Sequence, residues 1–315
     1  MGTLDTEAIG KAILAAPIVD SAKEPAAALC EAWIARFGPT DSQWRVVAAE
    51  SPWWMWLTPK TLVVGMQDVI YADSQGIAGG EWKSKRPPRI RKDGQPYQGD
   101  TEQDWVRGLV NSAQCKIYAL AMREGSYVKP VSVGDRAAMK AAPRIRVRAA
   151  NKSTPPTLWP AEDDALFEYS AEMLDLVRDI LTTKADSIRS MRRVHPDRPW
   201  GLSGIHCTNR FGRECEYLHH FCAEMKVPPY GSAKFDTNDP GWLAVKHADA
   251  DLSDPELVIF SASSFESAQW CDERYHLLTT GTLEKQSDIN LDIGTGMHTG
   301  LAVYYTQLMT KGEAK

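Results

Sequence analysis

The sequence predicts an α/β protein in which a central sheet is flanked by helices. The first observation is a series of runs rich in β-branched and aromatic residues, at Trp44–Glu50, Leu62–Ala72 and Ile77–Lys83. The second is helical periodicity on either side of these runs, over Thr6–Phe37 and Thr101–Glu124. The third is size: 315 residues with 43% hydrophobic content are enough to bury a large core.

The N-terminal part of the chain is predicted to lead directly into the sheet. Its helical region should divide into two pieces near Pro17 and Pro25, because proline interrupts helical hydrogen bonding. The first strand is predicted to end at Glu50, which could supply a further carboxylate to the hairpin, although a glutamate at a strand end is more often solvated. The aromatic-rich residues Pro52–Trp56 connect it to the next strand. Three consecutive antiparallel strands are therefore expected.

The second and third strands are predicted to form a hairpin around Asp73–Gly76, which has turn composition. Strand side chains alternate between faces, so Glu81 and Lys83 share one face, and Asp68 on the partner strand lies close to them. Two carboxylates and a lysine placed in this way favour a site for a hard cation such as Mg²⁺, with the lysine holding a water. On this hairpin alone, a solvated polar face remains the alternative.

Three later elements complete the predicted secondary structure. The helix over Thr101–Glu124 carries Gln114 and Tyr118 four residues apart, and hence on one face. A strand is expected at Pro143–Ala150 and a long helix at Ala161–Val194. The apolar stripe of that helix is predicted to comprise Leu166, Met173, Leu174, Val177, Ile180 and Leu181.

The basic residues are unevenly distributed, although the net charge is −5. A run with no acidic residue extends from Lys83 to Lys92, and a second run alternates arginines at 144, 146 and 148. Alternating arginines share one face of a strand and would form a positive stripe able to bind phosphates. A solvated basic loop is the alternative for the first run.

The six cysteines are expected to be reduced or to bind a metal, because the chain shows no signal peptide or membrane-length apolar run. A cytoplasmic protein without a membrane partner is therefore expected. Cys207, Cys215 and Cys222 are separated by seven and six residues, without the paired C-x₂-C knuckles of zinc sites. This spacing, with a remote fourth cysteine, suits a [4Fe-4S] cluster better, and three unrelated buried thiols are the alternative. Cys30 and Cys115 are predicted to be core residues.

The motifs resemble those of the PD-(D/E)XK nucleases, in particular the RecB-like branch. Gly65-x-x-Asp68 is followed by Glu81-Trp82-Lys83 and then by Gln114-x-x-x-Tyr118, in the order of that branch. The resemblance implies a mixed sheet flanked by helices and a cysteine-rich iron–sulfur subregion. It also implies that Asp68, Glu81 and the Trp82 carbonyl bind Mg²⁺ or Mn²⁺. Lys83 would orient the attacking water, and Gln114 and Tyr118 would line the path of the strand.

The C-terminal part resembles the segment that opens the domain in RecB-like nucleases. Ser261-x-Ser263 precedes Cys271, and Gly294-x-x-x-His298 leads into a helix. Asp272 stands where the family has proline. The resemblance implies that His298 is a further metal ligand and Cys271 the fourth cluster ligand. We interpret the chain as a circular permutant; a truncated second unit and a segment swapped between subunits are the alternatives.

The resulting prediction is one permuted nuclease domain over residues 1–315. It comprises a catalytic core at 44–160, a helix and cysteine segment at 161–224, a connecting segment at 225–258 and the displaced opening segment at 259–315. The resemblance implies a metal-dependent DNA nuclease, an exonuclease acting on ends or single strands. The residues expected to contact DNA are Lys85, Arg86, Arg89, Arg91, Arg146, Arg148, Arg210 and Arg213.

Two other functions remain open. One is an inactive DNA-binding or assembly protein with the nuclease fold. The other is an endonucleolytic trimming subunit of a larger complex, as in spacer processing or phage recombination. A homo-oligomer or a recombination complex is the expected assembly.

Overall fold

The computed structural model describes residues 5–85, 89–94, 96–97, 101–153, 155–159, 165–194, 240–262, 264–265 and 289–313. The helices in these ranges are α1 Thr6–Ala15, α2 Asp20–Asp41, α3 Glu102–Val110, α4 Ala113–Glu124, α5 Val133–Ala141, α6 Ala171–Val194, α7 Pro240–His247 and α8 Ile289–Glu313. The strands are β1 Arg45–Thr58, β2 Thr61–Asp73, β3 Gly76–Lys85, β4 Ser126–Tyr127, β5 Arg144–Asn151, β6 Thr157–Trp159, β7 Ala165–Glu168 and β8 Val258–Phe260. None of these helices is both long enough and apolar enough to span a bilayer.

The strands form one mixed sheet in the order β4-β1-β2-β3-β5-β6, which confirms the predicted α/β class. The first three strands are antiparallel, as expected, whereas β3 and β5 are parallel. Strand β7 pairs with β5, and β8 pairs in parallel with the beginning of β2. Strand β2 thus pairs with β8 at Thr61–Val63 and with β3 at Val69–Asp73. Between these two stretches, the centre of β2 has no strand partner on that edge among the described residues.

Helices cover both faces of the sheet. On one face, α4 and α6 pack on apolar side chains of β1, β2 and β5, among them Ile70 and Val147. On the other face, α1, α2 and α8 pack on a second set that includes Tyr71 and Trp82. The alternation of β-strand side chains produces these two apolar faces. Cys115 lies in the first core and Cys30 in the second, so both are buried, as predicted.

The central hairpin forms as predicted. Asp73 pairs with Gly76, and Gly76 has a φ of +115°, a conformation that residues with a Cβ rarely adopt. The Asp73 carboxylate also accepts a hydrogen bond from the backbone N–H of Gln75, which stabilises the turn. The alternation of side chains beyond the turn is therefore fixed by local sequence.

Several predicted helix limits are wrong. Pro25 lies inside α2, since Ala22, Ala26 and Leu29 around it are buried and packing holds the helix across it. The helix predicted at Thr101–Glu124 is interrupted at Asn111–Ser112, where the Ser112 hydroxyl accepts from the N–H of Cys115 and starts α4.

The long helix predicted from Ala161 begins only at Ala171. Residues Ala165–Glu168 instead form β7 on the edge of β5, and Leu166 therefore belongs to a strand. Within α6, Leu174, Val177 and Leu181 are buried as predicted. Met173 and Ile180, 38% and 43% exposed, are not part of the buried stripe.

Helix α8, near the C-terminus, packs in the same layer as α1 and α2. The Cβ of an alanine at Gly300 would lie 2.7 Å from Cys30 Sγ, so glycine permits the close approach of α8 and α2. The Tyr305 hydroxyl donates to Asp41 Oδ2 at 2.8 Å, and Arg148 Nη1 lies 2.6 Å from Asp41 Oδ1. A buried polar cluster thus connects α2, α8 and β5.

Candidate functional site

The candidate site lies where β3 separates from β2. Their backbone pairing ends at Val69 and Gly80, one residue before Asp68 and Glu81. Beyond this point the backbone N–H of Trp82 donates to Asp68 Oδ2 at 2.6 Å. The Asp68 carboxylate therefore replaces the strand carbonyl as hydrogen-bond acceptor. This geometry opens a gap at the centre of the sheet and holds one carboxylate at its edge.

Glu81 and Lys83 lie on the same face of β3, as their spacing predicts. Glu81 is 1% exposed, and its Oε1 lies 2.5 Å from Lys83 Nζ. The same oxygen accepts a hydrogen bond from Gln114 Nε2 at 2.7 Å. Glu81 Oε2 is buried and has no hydrogen-bond partner among the described residues. One oxygen of this carboxylate is thus fixed, while the other remains available to a ligand.

Helix α4 supplies the predicted Gln114 and Tyr118. Their spacing of four residues stacks them on one helical face, and Gln114 Nε2 lies 3.1 Å from the Tyr118 hydroxyl. The Tyr118 ring packs edge-on against Trp53 of β1, with ring centroids 5.8 Å apart. Tyr118 therefore positions Gln114, which in turn orients Glu81.

His298 reaches the site from the opposite face of the sheet. Its Nδ1 lies 3.6 Å from Asp68 Oδ1 within the same chain, although 230 residues separate the two in sequence. Gly294 precedes it by one helical turn, on the same face of α8. A Cβ at Gly294 would lie 2.6 Å from Ser84 Oγ, so glycine brings this face of α8 against β3. The spacing of Gly294 and His298 therefore has a direct packing explanation.

Glu50 belongs to the candidate site, although the sequence offered it only as a possible further carboxylate and favoured a solvated strand end. The predicted strand end is wrong, since Glu50 lies within β1, which continues to Thr58. It lies opposite Asp68 in the β1–β2 register, between the pairs Ala49–Val69 and Ser51–Gln67. Its φ of +44° places a non-glycine residue in the left-handed region. One donor atom each from Glu50, Asp68 and His298 lies within 4.8 Å of the others. The only signal in the sequence was its position at the end of the first aromatic strand.

Burial gives the carboxylates unusual proton affinities. It raises the pKa of Asp68 to about 6, although Lys83 and the Trp82 N–H act in the opposite direction. It raises the pKa of Glu81 to about 7, again against the attraction of Lys83. Burial and the Asp68 charge raise the pKa of Glu50 to about 9. Burial thus disfavours the ionised form of all three carboxylates, although Lys83 favours it for Asp68 and Glu81.

The pKa of His298 is shifted in the opposite direction. Burial and the nearby Lys83 ammonium lower the pKa of His298 to about 4, which leaves its imidazole neutral near pH 7. A neutral imidazole has a lone pair that can bind a metal ion. His298 is therefore suited to act as a ligand rather than as a counter-charge to Asp68.

These residues fit a divalent cation. Three potential ligand atoms, from Glu50, Asp68 and His298, converge from β1, β2 and α8. Glu81 Oε2, on the neighbouring strand β3, is buried and has no hydrogen-bond partner among the described residues. Carboxylate oxygens are preferred by Mg²⁺ and Mn²⁺, and a cation would compensate the carboxylates whose pKa values burial has raised. Clusters of exposed acids carry little weight as metal sites, but Asp68 and Glu81 are buried.

A cleft of about 680 Å³ lies beside α8, and Glu50 is the candidate site residue that lines it. Glu50 and Lys129 lie at one end, and Val303, Thr306 and Lys311 of α8 are among the residues that line it. The Lys129 ammonium contacts the Ala49 carbonyl and lies near enough to Glu50 for the two charges to interact. The cleft therefore reaches the candidate site at Glu50.

The arginines of β5 do not form the predicted phosphate-binding stripe. Arg146 and Arg148 are 4% and 1% exposed. Arg146 pairs with Asp73 at 2.9 Å, and Arg148 pairs with the buried Asp41. Both guanidinium groups also stack over the Trp44 ring. The prediction that they contact DNA is wrong, because the helical layer of α2 and the aromatic rings cover this face of β5.

The remaining predicted site residues are either partly or fully exposed beyond Lys83 or lie outside the described ranges. Lys85 is partly exposed on the face of β3 that carries Lys83, and Arg89 and Arg91 are exposed beyond it. Predicted residues outside the described ranges are Arg86, Arg210, Arg213, Cys207, Cys215, Cys222 and Cys271.

Comparisons with protein families, curated proteins and solved structures give no match to this chain. The function is therefore argued from the geometry of the site, namely two buried carboxylates, a lysine and a neutral histidine around a gap between strands.

Proposed function

We propose that the protein is a divalent-cation-dependent DNA nuclease of the RecB-like PD-(D/E)XK type. The observation that carries this proposal is the convergence of Asp68, Glu81 and Lys83 from two strands with His298 from the helix behind them. The Gln114–Tyr118 pair, hydrogen-bonded to Glu81, supports the RecB-like assignment in particular. An exonuclease acting on DNA ends or single strands is the form that we favour.

In the proposed mechanism, Asp68, His298 and the free oxygen of Glu81 would hold Mg²⁺ or Mn²⁺, together with the Trp82 carbonyl. Glu50 is a further candidate ligand, which the structure adds to the set expected from sequence. Such a cation supplies Lewis acidity to the phosphodiester and lowers the pKa of nearby water.

Lys83 has the geometry to orient a nucleophilic water. Its ammonium is fixed by Glu81 Oε1 at 2.5 Å, and its side chain remains 32% exposed towards the gap. The neighbouring carboxylates raise its pKa, so it stays protonated and donates hydrogen bonds rather than accepting a proton. Its donated hydrogen bonds can hold a water and stabilise charge that develops on the phosphate. Gln114 keeps Glu81, and through it Lys83, in this orientation.

The position of His298 supports the circular permutation. A segment that resembles the usual start of the domain lies at the end of this chain, and its histidine nevertheless meets Asp68 within one chain. A fragment of a second nuclease unit would have no reason to adopt this position. Mixing inactive His298→Ala with inactive Glu81→Ala protein should therefore restore no activity, whereas restoration would indicate a site shared between swapped subunits.

The decisive experiment is a cleavage assay on linear and circular DNA with Mg²⁺ or Mn²⁺. Lys83→Ala and Glu81→Ala should each abolish cleavage and retain the wild-type circular dichroism spectrum. Lys11→Ala is the matched control, since Lys11 is 72% exposed on α1 and pairs only with the exposed Glu7 among described residues. Cleavage at the wild-type rate by Lys83→Ala would overturn the assignment.

The same assay separates the alternative functions. A protein that binds DNA but leaves both substrates intact would be an inactive nuclease-fold binding or assembly protein. Cleavage of circular single-stranded DNA would indicate an endonuclease, such as a trimming subunit of a larger complex. Degradation restricted to linear DNA would support the exonuclease.

We further propose a [4Fe-4S] cluster held by Cys207, Cys215, Cys222 and Cys271. Cys30 and Cys115 serve as controls, because they are buried in the cores on opposite faces of the sheet. Anaerobically purified protein should be brown with broad visible absorption, and Cys271→Ser should lose iron and sulfide. The cluster assignment fails if Cys271→Ser keeps its full iron content while Cys30→Ser does not.

A further inference from the structure

Lys85 extends the line of functional side chains on β3. Glu81, Lys83 and Lys85 alternate along the strand and therefore share one face of the sheet. At about 3.3 Å per residue, the Cα of Lys85 lies about 7 Å from that of Lys83. A nucleic-acid strand bound at Lys83 therefore passes within reach of Lys85.

Two tryptophans surround the Lys85 ammonium. Its Nζ lies 4.4 Å from the ring centroid of Trp159 and 5.4 Å from that of Trp105. The two rings are 5.9 Å apart and tilted by 53°. Trp159, on β6, is buried at 6% exposure, whereas Trp105, on α3, is partly exposed. Trp159 thus forms the floor of this cluster, and Trp105 presents its indole at the rim.

The surroundings of this cluster favour a polyanion. Among the described residues that follow Lys85 in sequence, Arg89, Arg91 and Lys92 are exposed, and Tyr97 beside Arg89 is 47% exposed. Cationic side chains interleaved with exposed aromatic rings are the usual surface of single-strand binders. The side chains of α3 that pack against the core are Val106, Leu109 and Val110, and Trp105 is not among them.

We propose that Trp105 is a stacking platform for an unpaired base of DNA, with Lys85 binding the phosphate of the same strand. Inside a duplex both faces of each base are covered by its neighbours, so an indole beside a strand without free ends can stack only on an unpaired base. This inference rests on the proposed nuclease function and makes it more specific. It defines the substrate as a single strand or an unpaired end whose base is held next to the scissile phosphate.

The test measures DNA binding, which does not require cleavage. Affinities of Trp105→Ala and Trp105→Leu are measured in the Lys83→Ala background with Mg²⁺, using a fluorescein-labelled oligothymidylate and a fluorescein-labelled, covalently closed circular duplex that has no free ends. Stacking of one base is worth about 1–3 kcal/mol, which corresponds to about 5- to 150-fold in affinity. Both variants should lose this factor on the single strand and remain near wild type on the duplex. Trp105→Leu retains apolar bulk beneath α3 and keeps the test valid if Trp105→Ala does not fold.

Abasic DNA distinguishes stacking from a structural role of Trp105. A set of oligothymidylates is prepared in which one abasic site is moved along the strand. At one position of the abasic site, the Lys83→Ala protein should bind the DNA as weakly as the Lys83→Ala protein with Trp105→Leu binds the intact oligothymidylate. At that position the Trp105→Leu substitution should have no further effect. Trp56→Ala is the matched control: Trp56 is 37% exposed near the turn between β1 and β2 and should bind both DNAs normally.

Three results would overturn the proposal. They are unchanged single-strand affinity of a folded Trp105 variant, equal losses on single strand and duplex, and an abasic series in which every position behaves alike. A protein that shows the stacking effect but cleaves no DNA would retain this inference and refute the nuclease function. A protein that cleaves DNA without the stacking effect would support the nuclease function and refute this inference.

Discussion

Replacing Glu81 by glutamine is predicted to change how the stability of the metal-free protein depends on pH. Burial raises the pKa of Glu81 from 4.5 to about 7. Between these values the folded protein holds a proton on Glu81 that the unfolded chain has released. The stability contributed by this proton is complete below about pH 4.5 and is lost as the pH rises through about 7. Glutamine does not titrate and therefore removes this loss.

The expected magnitude follows from the two pKa values. They differ by about 2.5 pH units, and each unit corresponds to about 1.4 kcal/mol, which gives about 3 kcal/mol in total. The difference in unfolding free energy, variant minus wild type, should therefore grow by about 3 kcal/mol between about pH 4 and about pH 8. Glutamine retains the oxygen that accepts from Gln114, and any contribution that is constant with pH cancels in this comparison.

Urea denaturation followed by circular dichroism measures this difference in EDTA at a series of pH values. The same series with Mg²⁺ or Mn²⁺ should show a much smaller change, because a bound cation favours the ionised carboxylate. Glu24→Gln, at an exposed position of α2, is the matched control and should follow the wild-type pH profile. A difference that is constant with pH in EDTA would refute the argument from burial. A pH-dependent difference that the cations leave unchanged would refute the coupling of Glu81 to a metal.

Two further predictions each compare two substitutions, the first of glycines and the second of arginines. Gly80→Ala should destabilise the protein by about 1–3 kcal/mol, because its Cβ would clash with the Trp82 ring and lie 2.5 Å from Val69 Cγ1. The Cβ added by Gly108→Ala on α3 would meet no atom within 4 Å, so this substitution should stabilise the protein by up to about 1 kcal/mol. Thermal unfolding of the Gly80→Ala and Gly108→Ala variants tests this difference, and equal effects of the two substitutions would contradict it. Arg148→Met leaves the buried Asp41 without its guanidinium partner and should destabilise by about 3–5 kcal/mol. Arg91→Met, at an exposed position, should instead weaken DNA binding at low salt and leave the stability unchanged. If Arg148→Met weakened DNA binding without loss of stability, Arg148 would contact DNA.

The core of the candidate site could be predicted because its geometry is local. Two strands joined by a tight turn fix the side-chain alternation, so the shared face of Glu81 and Lys83 followed from spacing alone. The same holds for Gln114 and Tyr118, whose spacing of four residues has one outcome on a helix. Glycine at position 76 allows the turn that aligns the strands.

The remaining features of the site depend on contacts between distant segments. Glu50 enters the site only because β1 pairs with β2 in one register and its backbone adopts a positive φ there. Arg146 and Arg148 have the same alternating pattern as a phosphate-binding stripe, but α2 covers their face and supplies Asp41. Sequence pattern defines which residues share a face, but not which helix packs on it.

The sequence by itself determined the hairpin, its alternating side chains and the helical pair that faces them, since these follow from short-range backbone geometry. Only the tertiary structure decided that His298 meets Asp68 in the same chain, that Glu50 joins them and that the β5 arginines are buried. The physical reason is that burial and charge pairing depend on the docking of α2 and α8 on the sheet. That docking is fixed by many long-range contacts together and by no single motif.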